Sequence, residues 1–200
     1  MRLKACIKHN FRAQSNYVKS MKHIILKHGL FGVLVLIVFN LVFFFTIPRS
    51  PEYYSFGELA GYTTIILSLS FVIFGMYEYG KKYNDVRFGK FLLVGLLITI
   101  LPALAFGIYN IVYVEYLDPE FMDKYYAQMV TEAQEQYQGA ELTKALEELQ
   151  YQKETFVNPY MQFFVMFMTV YLIGFIISFI GAMFLNYKHK TTTQITHGTQ

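Results

Sequence analysis

Charge is scarce in this 200-residue sequence, and cysteine scarcer still. Only 16% of the residues are charged, against roughly a quarter in an ordinary globular domain. That argues against a water-soluble chain. The single cysteine, Cys6, excludes a disulfide-stapled secreted scaffold. A net charge of +3, unevenly placed, gives no basis for nucleic-acid binding. What the sequence has in abundance is apolar and aromatic: 54% hydrophobic residues, with 20 Phe and 17 Tyr. Such a composition excludes disorder for most of the chain. It leaves a polytopic membrane protein.

A helix needs about 20 predominantly apolar residues to cross a bilayer. Four runs meet this, at about 24–47, 59–77, 91–113 and 160–187, and none has Lys, Arg, Asp or Glu in its central turns. A helix satisfies its own backbone N–H and C=O groups, which hydrocarbon demands. The first run lacks the small-x-small exit of a cleaved signal peptide. It leaves through Phe43, Phe44, Phe45, Thr46, Ile47 and Pro48 and is expected to stay as an anchor. The expected fold is therefore all-α: an integral membrane four-helix bundle over 21–187.

Orientation follows from the basic residues. Arg2, Lys4, Lys8, Arg12, Lys19, Lys22 and Lys27 precede the first run without an acidic residue among them. The second loop, 78–90, carries Lys81, Lys82, Arg87 and Lys90 against Glu78 and Asp85. The third, 115–159, carries three Lys and ten acidic residues. Lys188 and Lys190 return after the fourth run. Basic and non-basic connections alternate, so both termini are expected in the cytoplasm and the third loop outside.

That loop reads as an external amphipathic helical insertion, about 118–157, between the third and fourth spans. Asp118-Pro119-Glu120 has the form of a helix start, with Asp as N-cap and Pro at the first helical position. An i, i+4 stripe follows at Phe121, Tyr125, Met129, Ala133 and Tyr137, thickened by Met122, Tyr126 and Val130. Gly139 interrupts it, and a second stripe uses Leu142, Ala145, Leu146, Leu149 and Phe156. Asn158-Pro159 then caps and starts the fourth span. The two helices are expected to pack on each other, lie on lipid, or cover the outer mouth of the bundle.

At the ends, 1–20 reads as a basic cytoplasmic extension able to attract anionic lipid headgroups, and 188–200 as a disordered cytoplasmic tail. Met21 is expected to be the true start or the first structured residue.

Small residues at helix-packing spacing are Gly57 with Gly61, Ala103 with Gly107, and Gly174, Ser178 and Ala182. Pro102 inside the third run frees a carbonyl and predicts a kink. Phe56-Gly57 followed by Phe74-Gly75-Met76-Tyr77 is echoed by Phe88-Gly89 followed by Phe106-Gly107-Ile108-Tyr109. A true repeat there would be inverted, as in some transporters.

Chemistry inside membranes usually announces itself through ionisable groups, and none lies at mid-depth. The polar candidates for a ligand or interhelical contact are Asn40, Glu58 and Asn110, beside Thr63, Thr64, Ser68, Ser70, Thr99, Thr169 and Ser178. All five His (His9, His23, His28, His189, His197) fall on the expected cytoplasmic side, outside the spans. No Ser or Cys within the membrane has a His or Asp partner in view. There is no metal-spaced cluster and no phosphate-cradling loop. Hence no catalytic, cofactor or metal residue is assigned, and no cofactor is expected.

The stretches Lys22 to Leu30, Phe88-Gly89-Lys90 before Val94-Gly95-Leu96-Leu97-Ile98-Thr99, Pro119-Glu120-Phe121-Met122-Asp123-Lys124-Tyr125, and Asn158-Pro159 occur in this order. Over 21–187 the chain resembles a family of small bacterial inner-membrane proteins, domain of unknown function 4199. The resemblance implies four spans with an external helical insertion in the inner membrane, and no activity or site. The leading expectation is a non-enzymatic membrane module acting through partners, lipids or self-association, as a homo-oligomer or with another membrane protein. The alternative is a small transporter or channel with a polar site between the spans.

Overall fold

The structure is a computed structural model that describes residues 2–48, 50–83 and 87–197, without the side chains of 2–13, 15, 16, 51 and 189–197. Arg49, Asp85 and the last three residues of the expected tail lie outside it. Six α-helices follow in order: α1 (Arg2–Thr46), α2 (Tyr54–Lys82), α3 (Phe88–Val112), α4 (Phe121–Gln136), α5 (Gly139–Phe156) and α6 (Pro159–His197). A 3₁₀ turn, Pro51–Tyr53, precedes α2, and a π-helical turn, Tyr113–Leu117, extends α3. No strand occurs among the described residues.

Four stretches are long and apolar enough to cross a membrane: Tyr17–Thr46, Tyr54–Lys82, Phe88–Leu117 and Pro159–Lys188. The protein is a multi-pass membrane protein. Each stretch has 29 or 30 residues, so each outruns its apolar run. A helix of that size is about 45 Å long. That matches a bilayer with its headgroup layers, about 40–45 Å, rather than the hydrocarbon core of about 30 Å. The added turns carry the tyrosines and lysines that prefer the interface.

The chain divides into two compact units, and each long helix contributes to both. The first unit comprises Met1–Leu34, Leu67–Pro102 and Tyr171–Gln200. Its core is built by helical periodicity. Leu69, Val72, Met76 and Tyr79 form one buried face of α2, and Phe91, Val94 and Ile98 one of α3. Ile24, Ala182 and Leu185 close it from α1 and α6. Small residues set the closest approaches, as between membrane helices generally. Gly95 of α3 faces Ser178, and Gly174 of α6 faces the Thr99 side chain. Gly29 faces Leu101 and the Ile98 carbonyl, the group that Pro102 deprives of its helical donor. Ser68 Oγ donates to the Gly32 carbonyl at 2.7 Å, tying α2 to α1.

The second unit comprises Val35–Ile66 and Ala103–Val170 and contains the insertion. Helices α4 and α5 pack on each other and are bridged by Lys153 and Asp123 at 2.8 Å. Gly139 turns between them with φ +59°, the left-handed region that favours glycine. The α5 stripe is half-buried as its spacing predicts, at Leu142, Ala145, Leu146, Leu149 and Phe156. On α4 the buried face is rotated from the expected line. It centres on Tyr126 and Ala133, whereas Tyr125 and Tyr137 are exposed. Aromatic contacts dock the start of α4: Phe121 meets Tyr113 at 5.4 Å and Tyr54 at 5.6 Å between ring centroids.

One helix start differs from expectation. Asp118 is not the N-cap of α4, which begins at Phe121 after a turn through Pro119 and Glu120. The π-helical turn ends on Asp118, whose N–H donates to the Tyr113 carbonyl at 2.8 Å. Its side chain is directed to Lys124 instead. Asn158 does cap α6, its Oδ1 accepting the Tyr160 N–H at 2.9 Å. At the other end of the chain α1 is already helical well before Met21.

Candidate functional site

In the first unit the polar residues converge where α1 meets α2. Lys27 Nζ and His28 Nε2 both lie 2.8 Å from Glu78 Oε2. An ionised carboxylate only accepts, so the imidazole Nε2 carries a proton and donates. His28 is 7% exposed, and its Nδ1 is buried with no partner. The ring is wedged against Gly75, where a Cβ would come within 3.1 Å of it. Beside this triad the Tyr17 and Tyr79 hydroxyls are hydrogen-bonded to each other. Tyr83 sets its ring 4.7 Å from both, and Lys90 holds its ammonium 5.7 Å from the Tyr17 ring centre. The expectation that every His lies outside the spans fails for His23 and His28. Both belong to the spanning stretch Tyr17–Thr46, and the ion pair turns His28 into the protein.

The second unit has an acidic counterpart at its helical insertion. Asp118 is 6% exposed, with Oδ1 3.7 Å from Lys124 Nζ and Oδ2 buried without a partner. Lys124 also binds Glu120 Oε2 at 2.9 Å, one turn apart on the helix. The hydrogen bond from Lys124 holds the Glu120 carboxyl below its usual range, and the same bond raises the Lys124 ammonium. Burial pushes the Tyr125 and Tyr126 phenols up.

The residues singled out from sequence are dispersed rather than gathered. Asn40 is buried and donates to Leu36 O of its own helix at 2.8 Å, not across to another span. Asn110 does bond across, donating to Gln162 Oε1 of α6 at 3.1 Å. Glu58 is exposed and acts on Tyr125 only through its charge. Of the packing residues, Gly107 presses on Phe163, Gly174 on Thr99, and Ser178 on Gly95. Gly57 and Gly61 meet nothing within 4 Å; they face outward, so they do not bring helices of this chain together. The glycines of the internal echo behave alike in pairs. Gly57 and Gly89 are open, whereas Gly75 and Gly107 are each pressed on a neighbour.

The threonines of the spans bond their own helix backbone, Thr63 to Leu59, Thr64 to Ala60, Thr99 to Gly95 and Thr169 to Val165. The buried hydroxyls of Ser20 and Ser178 have no partner, so neither is activated by His28. No group of three or more His, Cys, Asp or Glu among the described residues could hold a metal ion. A shallow hollow of about 400 Å³ follows α1, lined by Thr46, Ile47, Pro48, Glu52, Tyr53 and Phe56. It offers one carboxylate and no second catalytic group.

Sequence reasoning missed Lys27–His28–Glu78 and Gln162. The one available signal was charge complementarity at the facing ends of the first two runs. The bond of Asn110 to Gln162 had none, because it depends on how α3 and α6 are rotated against each other.

A family model described as Protein of unknown function (DUF4199) matches residues 27–186. No curated protein and no solved structure matches the chain.

Proposed function

The chain belongs to the family Protein of unknown function (DUF4199), and on that premise we propose that it is a non-enzymatic module of the bacterial inner membrane, acting through partners, lipids or self-association. One observation carries the reading. Most buried polar side chains of the spans are bonded to backbone carbonyls or to one another across helices, the pattern of structural ties worth about 0.6–2 kcal/mol each in a membrane; the hydroxyls of Ser20, Tyr54 and Ser178 are the exceptions. A transport or catalytic site instead keeps ionisable groups facing a hydrated cavity.

Charge supports the orientation. The first unit carries 13 of the 17 Lys and Arg and two of the 14 acidic residues. The second carries the other four basic and twelve acidic residues. By the positive-inside rule the termini and the α2–α3 loop face the cytoplasm, and α4 with α5 faces outward. The test is reconstitution of the full chain into liposomes. They are expected to stay as tight to protons, potassium and small solutes as protein-free vesicles. Protein-dependent flux would overturn the module reading.

The Lys27–His28–Glu78 triad favours a second reading, a small transporter, because ionisable residues within spans mark ion pathways. Flux that disappears in Glu78→Gln would establish it.

A further inference from the structure

Where α1 meets α2, one carboxylate oxygen serves two basic side chains. Glu78 Oε2 accepts from Lys27 Nζ and from His28 Nε2, each at 2.8 Å. With a neutral imidazole the charges balance, one ammonium against one carboxylate. Imidazole is also the side chain whose charge ordinarily changes between about pH 5 and 8. Nε2 already carries a proton, so a second one goes to Nδ1, which is buried and has no hydrogen-bond partner. Two neighbouring cations then compete for one anion, and their repulsion is stronger beside a protein interior than in water.

The two competitors differ in their freedom to leave. The Lys27 side chain is 40% exposed and that of His28 9%. An ammonium on a flexible four-carbon stem is readily hydrated. The imidazole has no such retreat. Gly75 of α2 stands against its Cβ and Cγ, and the next residue, Gly29, presses on Leu101 and the Ile98 carbonyl of α3. A buried charge left without its counter-ion is costly, so the carboxylate stays with the ring. Of the other described charges on the helices packed here, Lys90 of α3 lies over the Tyr17 ring and Lys188 of α6 over that of Tyr77. Tyr17, Tyr79 and Tyr83 beside the triad are phenols, which carry no charge in this pH range.

We propose that Lys27, His28 and Glu78 form a pH-driven exchange of partners. Above the imidazole range Glu78 is neutralised by Lys27 and hydrogen-bonded by a neutral His28. Below it, a proton from water joins Nδ1, Glu78 is neutralised by the imidazolium, and the Lys27 ammonium turns out to solvent. The one bond made is the new N–H. In acid the junction of α1 and α2 therefore gains a mobile surface cation. The exchange goes beyond the module reading and does not need the transporter reading, because no ion has to cross the bilayer.

The test is nuclear magnetic resonance of the full chain in phosphatidylcholine nanodiscs, from about pH 8 to about pH 5. The ring nitrogens of His28 are followed in His9→Gln/His23→Gln/His189→Gln/His197→Gln, which leaves one imidazole. Lys27 is followed in the otherwise wild-type chain through a reductively attached, isotope-labelled dimethyl group, assigned by its loss in Lys27→Arg. At the alkaline end His28 is expected as the Nε2–H tautomer. As pH falls it becomes doubly protonated in one step, and the Lys27 signal moves with the same midpoint to the position of an exposed lysine such as Lys22. In Glu78→Gln the Lys27 signal holds that position throughout, and in His28→Gln it stays at the paired position. An Nδ1–H tautomer at the alkaline end overturns the exchange. So does a His28 that stays neutral across the range, or one that titrates while the Lys27 signal stands still. These two titrations decide the matter even where Glu78→Gln or His28→Gln fails to fold. Ion flux in liposomes with the exchange intact refutes the module reading alone, and tight liposomes without the exchange refute the exchange alone.

Discussion

At the scale of single residues, the glycines separate into those the fold needs and those it tolerates. A Cβ at Gly174 would fall against the β-branched Thr99, a side chain with little rotamer freedom in a helix. Gly174→Ala is expected to cost about 1–3 kcal/mol, the usual range for overpacking, read as a lowered Tm in detergent. Gly57→Ala, with nothing within 4 Å, is expected to be neutral or to gain up to about 1 kcal/mol of helix propensity. A larger loss at Gly57 than at Gly174 would contradict this packing. Both glycines carry the same spacing signal in the sequence. Helical period tells which residues share a face but not which face meets a neighbour. Asn40 and Asn110 illustrate the same limit. One amide turns back to its own helix and the other crosses to Gln162. The choice is made by the rotation of each helix, which no local pattern encodes.

At the scale of elements, the four spans were legible because hydrocarbon leaves the backbone no alternative to helix. Their ends were less so, since tyrosine and lysine belong to the interface and extend a span without being apolar. The insertion was legible as two helices divided at Gly139, and that division is testable. Nothing crowds Gly139, so Gly139→Ala would act only through the left-handed backbone, at about 1–2 kcal/mol. It should expose the connection between α4 and α5 to protease while leaving the spans protected. The start of α4 was misplaced because Asp118 turns to Lys124 rather than to the free N–H groups of the helix. Electrostatics there gives a pH dependence. The Glu120 carboxyl is held below its ordinary 4.5 by Lys124. Its contribution is therefore fully present above that value and fades as pH falls through the folded value. Hydrogen exchange of α4 in the wild type and in Glu120→Gln should differ at pH 7 and converge in acid, once the carboxyl is protonated. A difference that persists in acid would show that the pair does not hold the helix.

At the scale of the whole molecule, insertion is governed by where the basic residues lie. With Cys6 replaced, single cysteines can be placed at will. A membrane-impermeant thiol reagent added to intact cells is expected to modify Glu147→Cys and spare Lys82→Cys. The reverse labelling would invert the proposed topology. Family membership and the spans are legible in the amino-acid order itself, because both are carried by long, ordered patterns. The ion triad is not, because Lys27 and Glu78 are fifty-one residues apart and meet only through the register of α1 on α2.

The Tyr17–Tyr79 bond joins a residue ahead of the stretch that the family model matches to one within it, and this bears on how much of the first helix can be removed. Tyr79 is 1% exposed, and Tyr17 is part of what covers its phenol as well as its hydrogen-bond partner. Translation initiated at Met21 would remove both together, at about 0.5–1.5 kcal/mol for the lost bond. Trimming only the residues ahead of Tyr17 would leave that buried phenol bonded.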